Sequence, residues 1–165
     1  AEQGMGDGAA IQGRQAARQI LRHRSFSFQE FSQRYAAVDQ LPPAPTREAR
    51  LQDTKNRQNS IEVNDDELQA WWTQMQENVQ SVTQYAYEQA LARGIAKEVA
   101  RSVLPEGLTT SRMYMTGTLR SWMHFCKLRT GNGTQKECAD IAKEVSVILD
   151  EQFPQCWNAL LTSVG

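Results

Sequence analysis

Residues 22–35 read RHRSFSFQEFSQRY, and the side-chain period changes inside them. Upstream, RQAARQILRHR (14–24) is rich in Ala, Gln, Leu and Arg, with Ala17, Ile20 and Leu21 on one face, which predicts a helix. From Ser25 the pattern alternates. Phe26 and Phe28 point one way and Ser25 and Ser27 the other, as in a strand or extended segment. The same fourteen residues gather Arg22, His23, Arg24, Glu30, Ser32 and Arg34, so they also hold the first candidate site.

Downstream, LPPAPT (41–46) excludes helix and lacks donors for a sheet. The polar, charged run REARLQDTKNRQNS (47–60) is expected to be a mobile surface loop around a short ordered piece. A long helix follows, capped by Asn64 or Asp65 and stopped near Gly94. Leu68, Trp71, Trp72, Met75, Val79, Val82, Ala86 and Leu91 recur along it at helical steps, giving a broad apolar stripe. IAKEVARSVL (95–104) is a further helical segment closed by Pro105, and LTTSRMYMTGTL (108–119) is the second strand candidate. RSWMHFCKLR (120–129) is helical and TGNG (130–133) is a turn. Thr134 is placed to cap the next helix, in which Cys138, Ile141, Val145 and Ile148 form the expected buried stripe. Pro154 ends that helix, and QCWNALL is a short last one.

These elements make an α+β fold, mostly helical, with a small antiparallel or mixed sheet. Two isolated strands do not form a stable sheet, so further strands are expected from a longer N-terminal segment or from a neighbouring subunit. Residues 1–13, AEQGMGDGAAIQG, are Gly-rich and aperiodic and read as a flexible remnant. No strand precedes their glycines, so they are not a dinucleotide fingerprint. Residues 14–165 are expected to form a single, partial domain.

Composition narrows the function classes. Eighteen Lys and Arg nearly balance nineteen Asp and Glu, which argues against a general polyanion binder and leaves any anion site local. No nucleic acid, membrane or metal partner is expected. The three cysteines (Cys126, Cys138, Cys156) show no C-x-x-C pair and no His at ligand spacing, which suits a reducing, cytosolic setting. No apolar run approaches the roughly 18 residues of a membrane helix.

Arg22, Arg24 and Arg34 offer guanidinium forks that suit phosphate or carboxylate, and Glu30 and nearby hydroxyls suit sugar or base edges. A solvated basic turn with Glu30 paired to an arginine accounts for the same residues equally well. His23, between two arginines, is expected to favour its neutral form. Arg120 and His124 share a helix face four residues apart, and Arg129 lies near that helix's end, where a cation is favoured. Arg101 sits among Val99, Val103 and Leu104 and needs an anion partner if buried. The tryptophans and methionines are expected in the core or at subunit contacts. Cys126 has no obvious base and makes a poor nucleophile candidate.

RHRSFSFQEFS matches the R-H-R-x7-S signature of the flavin-dependent thymidylate synthases (ThyX), with Ser32 as the motif serine. The resemblance continues through ARSVLP (100–105) and TLRSWMHFCKLR…TQKE (118–137), and RLQDTKNRQNS resembles members carried by large DNA viruses and phages. It implies reductive methylation of dUMP to dTMP, with the one-carbon unit from methylenetetrahydrofolate, FAD carrying the hydride and NADPH reducing the flavin. It also implies a homotetramer with shared active sites, in the cytoplasm or in a host cell's cytoplasm. By position, Arg22, His23, Arg24, Glu30, Thr118, Arg120 and His124 would hold FAD. Gln19, Arg22, Glu30, Ser32, Gln33, Arg34, Arg101 and Arg129 would hold dUMP. Arg129, Arg22 and Ser32 become the catalytic candidates, Ser32 binding substrate rather than attacking it. Thr118 and Gln29 stand where Asn is common in that family, and the family's usual N-terminal segment before R-H-R is almost absent from the sequence. An inactive nucleotide- or flavin-binding or interaction module derived from that family is the alternative. A helical RNA-binding domain is a weaker one, because aromatic and basic residues interleave only in the opening stretch.

Overall fold

The computed structural model describes residues 10–11, 14–30, 44–131 and 133–162. It is α+β with helices in the majority. In chain order the elements are β1 (Ala10–Ile11), α1 (Arg14–Ile20), β2 (Phe26–Glu30), β3 (Arg50–Gln52), β4 (Ser60–Glu62), α2 (Asp66–Ala92), α3 (Lys97–Ala100), β5 (Ser111–Gly117), α4 (Leu119–Arg129), α5 (Lys136–Gln152) and α6 (Pro154–Thr162). Two short 3-10 turns, Arg101–Val103 and Glu106–Leu108, link α3 to β5.

The predicted strand at 26–30 forms, and its alternation decides its partner. β2 and β1 flank β5 in an antiparallel sheet of order β1-β5-β2. Phe26 lies opposite Gly117, Phe28 opposite Met115 and Glu30 opposite Met113. Gly117 is required here, because a Cβ would lie 2.4 Å from Cδ1 of Phe26. The third strand comes from Ala10–Ile11, which pairs with Arg112 and Ser111. The aperiodic composition of 1–13 gave no sign of that pairing.

The core lies where α1, α4 and α5 pack on one face of this sheet. Ala16, Ala17 and Ile20 of α1 meet Phe26, Met113, Phe125, Cys126, Cys138, Ala142 and Leu149, all buried. Burial pushes the thiols of Cys126 and Cys138 above the usual cysteine range, and Cys156 is exposed and free. Ile148, expected in the buried stripe of α5, is exposed, and Leu149 takes its place. The α5 cap also differs from expectation. Gln135, not Thr134, stands at the cap position, with no side-chain bond to the helix.

The segment expected to be a mobile loop forms a β3–β4 hairpin, with Arg50 opposite Glu62 and Leu51 opposite Ile61. Its turn is built by Asp53, whose Oδ1 accepts from the main-chain N–H groups of Lys55 (2.8 Å) and Asn56 (3.1 Å).

Asp65 caps α2 by accepting from Leu68 N at 2.9 Å, and Gly94, at φ +79, follows its end. One side of α2 holds residues 44–49 through glutamines. Gln69 exchanges two hydrogen bonds with the main chain of Ala49, Gln76 does the same with Arg47, and Gln80 donates to Ala44 O. The buried residues of α2 are Gln76 and Tyr87. Half of the apolar stripe read from sequence is on the surface of the single chain: Trp71 is 55% exposed, Val79 45% and Val82 69%. The helix thus buries Gln76 and Tyr87 against its own chain and leaves several large apolar side chains outward. No helix among the described residues is long and apolar enough to cross a membrane, and no His/Cys/Asp/Glu group among them could hold a metal.

Candidate functional site

The turn after α1 and the last turn of α4, 106 residues apart in sequence, meet through one hydrogen bond. Arg129 Nε donates to His23 Nε2 at 2.8 Å, and Arg129 Nη2 donates to the main-chain oxygen of Gln19 at 3.1 Å. The Gln19 side chain donates to Gln135 Oε1 at 2.7 Å, which ties α1 to the start of α5. The His23 ring stands edge-on to Phe125, with centroids 5.0 Å apart, and to Phe26, at 6.3 Å. Phe26 is buried because β2 alternates, and Phe125 because α4 faces the sheet. The core therefore fixes the imidazole, and the imidazole bonds the arginine.

Burial is the main cause that lowers the His23 pKa from 6.5, followed by the charges of Arg129 and His124. The direction is the one expected, but the charges that act are those of Arg129 and His124, since Arg22 and Arg24 are exposed to solvent. The sign for stability follows. Below pH 6.5 the unfolded chain takes up a proton that folded His23 resists, so this residue costs stability as pH falls through that range.

Arg22, Arg24, Arg120 and His124 are exposed, and no carboxylate bonds to any of them among the described residues. Thr118 has a structural task. Its hydroxyl accepts from Ser121 N at 3.2 Å and caps α4. Glu30 Oε1 accepts from Ser111 Oγ at 2.6 Å, linking β2 to β5. Arg101 is half-buried, and its Nε donates to the carbonyl of Glu98 at 3.2 Å. No hydrogen bond or ion pair among the described residues joins it to His23 or Arg129. Ser32, Gln33 and Arg34 lie outside the described residues.

Beside this cluster opens a polar cleft of about 920 Å³, bounded by Gln19, the β3–β4 hairpin and the turn before α5. The hairpin is held there by a half-buried ion pair, Arg50 Nη2 to Glu137 Oε1 at 2.7 Å. Burial tends to raise the Glu137 pKa. Hydrogen bonds from its own N–H and Gln135, with the charges of Arg47 and Arg50, outweigh burial and hold it below the carboxylate norm. Glu48 and Glu62 bond Lys136 and raise its pKa to about 12. Sequence reading missed Gln135, Glu137 and the hairpin. The one available sign was the turn chemistry of Asp53 and Asn56 between two short segments.

A bonded His–Arg pair, ringed by exposed Arg and His side chains with no carboxylate partner among the described residues, sits beside an open polar cleft on an α+β scaffold. That scaffold matches a solved UMP/dUMP methylase, PolB from Streptomyces cacaoi, bound with 5-Br UMP. The TM-score is 0.78 at 27% identity, covering 89% of this chain and 69% of that one. The sequence profile of the thymidylate synthase complementing protein (Thy1) family matches residues 10–155, and the chain belongs to that family. One relative, from Paramecium bursaria Chlorella virus 1 and named "Probable flavin-dependent thymidylate synthase", is 49% identical over 144 residues. A flavin-dependent thymidylate synthase of Synechocystis is 48% identical over 147. The chain spans 65% and 66% of the length of these two relatives, and 87% and 89% of it is aligned.

Proposed function

We propose that this chain acts in a flavin-dependent thymidylate synthase, converting dUMP to dTMP with methylenetetrahydrofolate, NADPH and FAD, in the cytoplasm. The observation that carries this reading is the junction of Arg129 with His23 and Gln19. It joins the R-H-R segment to the end of α4, which supports reading the two as one anion-binding surface.

The exposed side chains fit a diphosphate-bearing flavin. Arg22, Arg24, Arg120 and His124 are the candidates to hold it, since they are cationic or donating and have no carboxylate partner among the described residues. FAD, when bound, supplies the hydride that the reductive methylation needs. Arg129 would donate to a uracil carbonyl or phosphate oxygen, drawing electron density from the ring and making it a better hydride acceptor. Gln19, Arg22, Glu30, Ser32, Gln33 and Arg34 complete the nucleotide side in this reading. Thr118 contributes by capping the helix that carries Arg120 and His124. No thiol is needed, in keeping with the burial of Cys126 and Cys138.

The active assembly is a homotetramer in this proposal. Its support is the outward apolar face of α2, a pattern that marks a protein contact rather than a solvated helix. Arg101, which does not bond the His23–Arg129 cluster of its own chain, would then serve a neighbouring subunit's site. Light scattering is expected to give four times the 18.7 kDa chain mass. A monomer would exclude the shared site.

Titration with FAD tests the activity. The protein is expected to turn yellow with one flavin per chain, and flavin, folate and NADPH together should produce dTMP from dUMP. A colourless protein that takes up no flavin would sink the proposal.

A further inference from the structure

Arg129 is engaged along one edge of its guanidinium, by Nε–H to His23 and an Nη2–H to Gln19 O. A guanidinium has five N–H donors and no acceptor. The atom it meets on His23 must therefore carry a lone pair, which makes the imidazole neutral with its proton on Nδ1. The ring cannot swing away easily. Its edge contacts with Phe125 and Phe26 belong to the same packed cluster as Trp122, whose centroid is 4.8 Å from that of Phe26.

The charges around the imidazole all disfavour a second proton. Arg129 and His124 face it from α4, whereas Arg22 and Arg24, its neighbours in sequence, are turned to solvent. From β2, Glu30 bonds Ser111 instead. From α5, the Cys138 thiol lies in the field of Arg129, and burial keeps it protonated. No carboxylate among the described residues bonds the ring, so nothing there would compensate an imidazolium.

We propose that His23 is a positioning residue for Arg129. Its unprotonated Nε2 fixes the guanidinium, leaving the three unused N–H groups for a ligand oxygen, and protonation of His23 releases that guanidinium. The bond itself owes nothing to the reaction. Only its consequence for nucleotide binding rests on the role proposed above for Arg129.

Two measurements test this. The first uses ligand-free protein and NMR of the histidine side-chain nitrogens, which is tractable because the chain has two histidines. At pH 7.5, His23 is expected as the Nδ1–H tautomer and to titrate below 6.5. An Nε2–H tautomer or an imidazolium at that pH would overturn the proposal. The second compares dUMP dissociation constants between pH 7.5 and 5.5 for wild type, His23→Gln and His23→Ala, each checked for native circular dichroism. Glutamine keeps an acceptor that does not titrate. Relative to His23→Gln, wild type should lose more affinity across that range, by up to about tenfold, the phosphate's own titration being common to both. His23→Ala should bind weakly at every pH, and His23→Gln should recover part of that loss. Parallel pH profiles for wild type and His23→Gln, or wild-type binding by His23→Ala, would count against the proposal. If dUMP binds none of the three, the thymidylate synthase reading fails, and the tautomer measurement still decides the role of His23.

Discussion

Replacing Arg129 with alanine is expected to weaken dUMP binding by about 100-fold or more while changing flavin uptake only a few-fold. The large effect is expected from removing a half-buried charged donor that holds the Gln19 carbonyl and His23 and, in the role proposed for it, meets the ligand. Truncating one partner of a hydrogen-bonded, desolvated charge pair costs about 2–5 kcal/mol, and each 1.4 kcal/mol is tenfold in affinity. Flavin uptake should survive because Arg22, Arg24, Arg120 and His124 are separate side chains, and all four precede or lie outside the last turn of α4. Isothermal titration with each ligand separates the two effects. Equal loss of flavin and nucleotide would mean that Arg129 maintains the whole site rather than its nucleotide side.

Phe125→Ala should have the largest effect on stability. Phe125 has no exposed surface, and its ring meets those of His23, Phe26 and Trp122. Emptying such a position costs about 3–5 kcal/mol from lost transfer energy and an unfilled cavity. At this chain length that corresponds to a fall in Tm of roughly 6–20 °C, measured by thermal unfolding. Phe125→Leu should lose less, since it refills part of the volume. A Tm within two degrees of wild type, on the scale of about 2–4 °C per kcal/mol, would show that α4 does not seat on the sheet through this ring.

The parts of the fold that follow from local rules were readable in advance. The alternation of Phe26 and Phe28 predicted β2, Asp65 predicted the start of α2 and Gly94 its end. The β3–β4 hairpin escaped because its strands carry one large apolar residue each, Leu51 and Ile61. These pair with each other and remain exposed, so no burial period marks them. The stripe on α2 is legible as apolar, with its tryptophans expected in the core or at subunit contacts, and the chain buries Gln76 and Tyr87 while leaving Trp71 and Val82 exposed. A hydrophobic period identifies a face to be covered and does not say which chain covers it.

The site divides in the same way. Residue types singled out Arg22, His23, Arg24, Arg120, His124 and Arg129, and the fold brings His23 to Arg129 and near His124. That bond spans 106 residues, so no helical or strand period could reveal it. Nor could any period show that Arg101 would stand apart, bonded to Glu98.

The glutamines of α2 bear on sequence drift. Gln69, Gln76 and Gln80 hold residues 44, 47 and 49 through hydrogen bonds to their main-chain groups, so these bonds do not themselves specify the side chains there. Changes in 44–49 that keep the main-chain path preserve the docking. The glutamines have no such latitude, since glutamate lacks the N–H donors and leucine lacks donor and acceptor alike. Three letters in a helix thus fix the course of a neighbouring segment, while burial of Ala44 and Ala49, and not these bonds, limits what that segment can spell.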